Sequence, residues 1–195
     1  MEMQGSRRLG VSQQQAWEAL NDPQVLKTCI PGCDKVEPTG ENQYAIGMSV
    51  KVGPVAARFA GKITLVDVLP PNSYTIVFEG QGGPAGFGKG TAKVALAPPA
   101  EGAGCELAYS AQAQVGGKIA QVGQRLVDGV ARSMAEDFFR RFDEEMQRRY
   151  PEAYSAQAAL PAEAAPAEPK TRPIPTWAWI ACGFGVLIAL LLLMR

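Results

Sequence analysis

Residues 118–150, KIAQVGQRLVDGVARSMAEDFFRRFDEEMQRRY, contain no proline and place an apolar residue at every fourth position. Val122, Leu126, Val130, Met134, Phe138 and Phe142 form that series, and Ile119 and Val127 broaden it into a stripe. Arg, Asp and Glu crowd the opposite side. The pattern predicts one long amphipathic helix over 118–150, whose apolar face needs a surface to cover it.

The covering surface is legible upstream, where the apolar period changes from four to two. Tyr44, Ile46, Met48, Val50 and Val52 alternate with smaller or polar residues, and Gly53-Pro54 interrupts them. Val55, Ala57, Phe59, Gly61, Ile63 and Leu65 resume the alternation. After the turn residues 70–73 come SYTIVFEG, then residues 88–96 and 105–115, separated by PPAEGAG. Consecutive strands joined by short turns predict an antiparallel meander. Ahead of it, residues 2–9 read as a first strand. Ser12 with Gln15 is a capping-box pattern opening the helix QQQAWEAL, and Pro23 suits the first turn of a second short helix, PQVLKTCI. The expected order is strand, two short helices, about six strands, one long helix.

Alternation also indicates which side chains point inward. Gly90, Ala92, Val94 and Leu96 share one face, as do Cys105, Leu107, Tyr109, Ala111, Ala113 and Val115. Several inward positions are glycine or alanine. Small residues beneath a long helix imply either close helix–sheet packing or a cavity lined by Val, Phe, Leu and Met. We favour the cavity. The glycine-rich stretch GQGGPAGFGKG, 80–90, reads as a gate carrying Phe87 as an apolar plug, or as a hairpin loop needing positive φ angles.

Composition excludes several classes. The chain has no histidine, the commonest general base and metal ligand. Of 19 basic and 19 acidic residues, three of each lie beyond residue 150, so residues 1–150 are neutral and nucleic-acid binding is not expected. Cys29 and Cys33 lack the partners of a zinc set, and the cysteines are expected to be reduced and apolar in role. Asp67, Glu79 and Asp128 stand alone in the sequence, with no paired carboxylates, so we do not expect an enzyme and expect no metal or covalent cofactor.

The tail carries a different signal. Residues 151–176, PEAYSAQAALPAEAAPAEPKTRPIPT, are poor in large apolar groups and read as a disordered linker, with a reach of roughly 28 Å as a coil and about 75 Å when extended. Residues 177–194, WAWIACGFGVLIALLLLM, are uncharged, and as a helix would rise about 27 Å, close to the ~30 Å core of a bilayer. We expect a single transmembrane helix in 177–195 as a C-terminal anchor. The N-terminus lacks a signal-peptide pattern, and Lys170 and Arg172 put the preceding domain on the cytoplasmic face of the inner membrane.

Several segments together resemble one family. MEMQGSRRL, NDPQVLKTCIPGC, KVGPV at 51–55, PPNSYTI, GQGGPAGFGKG and AQVGGKIAQVGQRLVDGVA are similar, in order, to the CoxG subunit family of carbon monoxide dehydrogenase, over about residues 1–148. The resemblance implies an α+β, START-like (SRPBCC) helix-grip fold, a curved antiparallel sheet wrapped around a long C-terminal helix. It also implies a molybdenum-containing hydroxylase, carbon monoxide dehydrogenase, as a partner docked at the membrane, and an isoprenoid quinone (ubiquinone or menaquinone) as ligand in the cavity, carried between the lipid bilayer and the enzyme. Carried onto matching positions, the expected wall residues are Ile30, Pro31, Val52, Phe59, Phe87, Leu126, Val130 and Met134. Backbone N–H groups of the glycine loop are the expected donors to the quinone carbonyls.

Overall fold

A computed structural model describes residues 1–100 and 102–159. The linker from 160 onward, Cys182 and the span expected at 177–194 lie outside the described residues. Among those described, no helix is long and apolar enough to cross a membrane.

The chain runs β1 (Glu2–Leu9), α1 (Gln13–Leu20), α2 (Pro23–Cys29), β2 (Cys33–Gly40), β3 (Gln43–Val52), β4 (Val55–Leu69), β5 (Ser73–Gln81), β6 (Phe87–Ala97), β7 (Cys105–Gly116), α3 (Lys118–Gln121), α4 (Gln124–Arg149) and α5 (Pro151–Ala159). Seven strands form one antiparallel sheet in the order β1-β7-β6-β5-β4-β3-β2. The first strand lies beside the last, so α1 and α2 must carry the chain from one edge of the sheet to the other. The capping box of α1 and Pro23 in the first turn of α2 stand as the sequence predicts, and the structure adds Asp22 as the cap of α2. Ser12 and Gln15 close a reciprocal capping box, and Asp22 accepts from the Gln24 amide ahead of Pro23. A curved sheet with α4 across its concave side is the helix-grip arrangement.

Three features depart from the sequence reading. Strand β2 was not expected, because only Val36 of CDKVEPTG is buried and Pro38 breaks the pattern; an edge strand tolerates both. The long helix is not continuous. Gly117 (φ 84°) and Gly123 (φ 98°) bracket a separate turn, α3, in conformations that favour glycine, and α4 starts afresh at Gln124. Helical periodicity alone carries no record of such a break. Residues 151–159 are helical rather than linker: Pro151 opens the helix and alanine sustains it. Tyr154 packs against the core, and its hydroxyl donates to Asp143 Oδ1 at 2.6 Å.

Burial divides into two clusters. The larger joins Leu9, Trp17, Leu20, Leu96, Leu107, Phe142 and Met146, uniting α1, β1, β6, β7 and the C-terminal half of α4. The smaller joins Val52, Ile119 and Val127, and so holds α3 and the start of α4 to the tip of β3. The helix is therefore gripped near both ends.

One polar network fixes the first grip. Glu145 is only 8% exposed and accepts from Arg148 (2.6 and 2.9 Å) and from Arg149 Nε (2.6 Å). Arg149 Nη1 donates in turn to Asp22 at 3.0 Å, tying α4 to the cap of α2. The Arg148 hydrogen bonds, working against partial burial and aided by Arg149, hold the Glu145 carboxyl at about 2 rather than its ordinary 4.5. The unfolded chain takes up that proton first, so this stabilisation is complete above about pH 5 and is lost as pH falls towards 2. Glu145→Gln is expected to cost about 2 kcal/mol at neutral pH. In urea titrations at pH 7 and pH 3 its deficit relative to the parent should shrink at the lower pH. An equal deficit at both would contradict this account.

Candidate functional site

Between the two clusters the concave face is not filled. An inner lobe of about 240 Å³ lies under α2 and α4, with walls from Ile30, Val36, Leu65, Ile76, Phe138 and Phe139. An outer lobe of about 280 Å³ lies under α3, with walls from Met48, Val50, Phe59, Phe78 and Ile119. Ile46 and Ile63 line both, so the lobes adjoin. The floor of the outer lobe explains the space: Gly61, Gly80 and Gly88 stand in a row across β4, β5 and β6, Gly61 facing Gly80 and Gly80 facing Gly88. Three residues without side chains leave a trough where large ones would have met the helix.

A second depression, about 730 Å³, runs over the β1 edge, lined among others by Glu2, Arg7, Lys93, Gln112, Arg132 and Glu136. Its polar and charged walls offer nothing to an apolar ligand. The two-lobed cavity is the candidate site.

The inner lobe also holds polar side chains. Tyr44, Tyr74 and Tyr109 line it, with Asn21. Tyr74 is 5% exposed, its ring edge-on to Trp17 at 5.3 Å. Burial, and secondarily the nearby Tyr44, push its hydroxyl well above the usual phenol range, so it remains a protonated donor at any physiological pH. Asn21 donates its amide to the Trp17 carbonyl at 2.9 Å.

Of the expected wall residues, Ile30 and Phe59 line the cavity, one in each lobe. Val52 is buried in the smaller cluster, and Val130 packs against it. Pro31 and Met134 are half-buried and line neither lobe. Leu126 is 42% exposed and leans over Gly53 in the β3–β4 turn. A repeat of four drifts about 40° per step on a helix of 3.6 residues per turn. A stripe that faces inward at Phe142 has therefore turned outward by Leu126. Phe87 is 39% exposed and lies over Gly116, its partner on β7, on the convex face with Lys89. It does not plug the cavity. The glycine segment is strand, turn, strand: β5 runs to Gln81 and β6 resumes at Phe87, with the Gly82 amide donating to the Gly86 carbonyl at 2.7 Å. Its hairpin reading accounts for it.

The residues that build most of the cavity were in the alternation but not singled out. Tyr44, Ile46, Ile63, Ile76 and Phe78 all occupy inward positions of β3, β4 and β5. The signal that would have found them is their place opposite the glycine row, which depends on strand register.

The three described cysteines are free, and burial raises each thiol, Cys29 to about 11. At neutral pH they are thiols and not nucleophiles.

The model of the carbon monoxide dehydrogenase CoxG subunit family matches residues 5–147, spanning nearly all of the sheet and of α4. The chain belongs to the CoxG family. A conserved protein of Geobacillus kaustophilus is 32% identical, covers 76% of this chain over 96% of its own, and superposes with a TM-score of 0.71. Two more distant structures share the fold. A protein from Thermus thermophilus is 14% identical with a TM-score of 0.57, over 76% of this chain and 99% of that one. The Zhui aromatase/cyclase of Streptomyces is 15% identical with a TM-score of 0.54, over 76% and 94%. No curated protein matches the chain in sequence. The name of the CoxG family associates its members with carbon monoxide dehydrogenase, and the fold supplies the cavity just described.

Proposed function

We propose that this CoxG protein is a membrane-anchored accessory factor, not itself an enzyme, of a molybdenum-containing carbon monoxide dehydrogenase or related hydroxylase. It binds an isoprenoid quinone in the two-lobed cavity, carries it between bilayer and enzyme, and recruits the enzyme to the membrane through the tail at 177–194. The observation that carries this reading is the unfilled apolar space between two packed clusters. The lobes together fall within the roughly 300–1,000 Å³ of small-molecule sites. At about 30 Å³ per non-hydrogen atom each admits on the order of ten, enough for a substituted ring and the first isoprene units. Each CH₂ withdrawn from water there contributes about 0.8 kcal/mol.

A docking factor without transport has no use for such a cavity, and a single experiment separates the two. A protein ending at residue 159 keeps α5 and the Tyr154 contact but loses the tail. Added to the dehydrogenase, its substrate and quinone-loaded vesicles, it should raise the rate of quinone reduction in proportion to its concentration. A rate that rises only with the full chain would favour docking alone.

A further inference from the structure

The inner lobe is apolar except for Asn21 and three tyrosine hydroxyls, and the most deeply buried of these, Tyr74, has no visible use within the fold. Tyr74 is more than nine-tenths buried and lines the lobe, and its hydroxyl makes no hydrogen bond among the described residues. Every fully enclosed side-chain N or O atom among those residues has a partner, so this hydroxyl reaches the open space of the lobe. Tyr44 likewise makes no hydrogen bond there; it faces the same lobe from β3 and lies near enough to act on Tyr74 electrostatically. A hydroxyl left without a partner in an apolar cavity is destabilising, whereas phenylalanine would fill the same shape at no such cost. The two other polar side chains of the lobe are set apart from this pair. Asn21 gives its amide to Trp17, and Tyr109 leans towards the β1 edge, where a methyl at Gly5 would come within 2.8 Å of its oxygen.

We propose that Tyr74 and Tyr44 are the head-group end of the site. The bound molecule enters ring first, one of its carbonyl oxygens accepts a hydrogen bond from the Tyr74 hydroxyl with Tyr44 beside it, and its hydrocarbon chain runs back through the outer lobe past Phe78, Phe59 and Ile119. This rests on the reading of the cavity as a quinone site and adds the direction in which the quinone lies. The pair selects a flat ring bearing an acceptor over a plain hydrocarbon or acyl chain of the same bulk. It replaces the glycine-loop amides expected from the sequence, which lie in a hairpin closed on itself.

The test uses the full chain in detergent micelles with two probes, decylubiquinone and dodecylbenzene, which has a ring and chain but no carbonyl. Tyr74→Phe should weaken decylubiquinone binding about tenfold, the worth of one hydrogen bond, and leave dodecylbenzene unchanged. The infrared carbonyl band of the bound quinone should lie below its free position in the parent and return towards it in the variant. Tyr44→Phe gives the same readout should Tyr74→Phe fail to fold. If the parent binds decylubiquinone but both variants bind it within twofold and the band stays at its free position, the tyrosines serve water only. The orientation is then wrong while the quinone reading stands. A parent that binds no decylubiquinone removes both.

Discussion

Ile63→Trp is expected to abolish quinone binding, lowering affinity at least a hundredfold while leaving the domain folded. Ile63 stands on β4 between Tyr44 on β3 and Phe78 on β5, and it is one of two residues that line both lobes. An indole there projects into space the native chain leaves empty. The 1–3 kcal/mol that overpacking usually costs is therefore largely avoided. The loss of affinity comes from occupied volume: the ring head and the chain must pass the Ile46–Ile63 junction to fill both lobes. Titration with decylubiquinone alongside a thermal melt checks both halves. Unchanged affinity with an unchanged melting temperature would mean that the ligand lies elsewhere.

Phe142→Ala should give the largest loss of stability of any single truncation among the described residues, about 3–5 kcal/mol. The side chain is fully buried in the larger cluster and stacks on Phe138 at 5.9 Å. Phe138 in turn walls the inner lobe. The truncation thus removes an anchor of α4 and the support of a cavity wall together. For a domain of this size the melting temperature should fall by roughly 10 °C. Quinone affinity should fall as well, even below the melting point, because Phe138 gains room to move. A drop of under 1 kcal/mol in urea denaturation would show that the C-terminal grip is not where the helix is held.

Much of this architecture was legible because it depends on local chemistry. The capping box at Ser12, Pro23 at the first turn of α2 and the two-residue period of β3 to β7 each follow from the neighbours of the residue concerned. The faces of β6 and β7 were also legible: Val94, Leu96, Cys105 and Leu107 are the buried ones. What was not legible depends on residues distant in sequence. Gly123 breaks the helix so that Ile119 can fold under onto Val52, and neither residue announces the other. Tyr154 makes a helix of an alanine-rich stretch by docking in a groove that Gly10 leaves open. The same division runs through the site. Small inward residues predicted a cavity, but its walls are set by register, which places the glycine row beneath Ile119 and turns Leu126 and Phe87 outward. Only Ile30 and Phe59 of the eight expected wall residues line it.

The resemblance to the CoxG family carried further than any single residue, because it rests on six segments in order and is matched by a family model over most of the chain. It brought the fold and the partner class together. Of the two tyrosines proposed as the head-group end of the site, Tyr74 lies within the family segment PPNSYTI and Tyr44 in none of the six; only the strand register brings them into one lobe.

The account stands on the claim that the cavity holds a quinone. Mass spectrometry of an organic extract of the full chain, purified from membranes of the cell that makes it, tests that most directly. The account predicts an isoprenoid quinone at close to one per protein from the parent and little from Ile63→Trp. An extract without quinone, or equal amounts from both proteins, would contradict it.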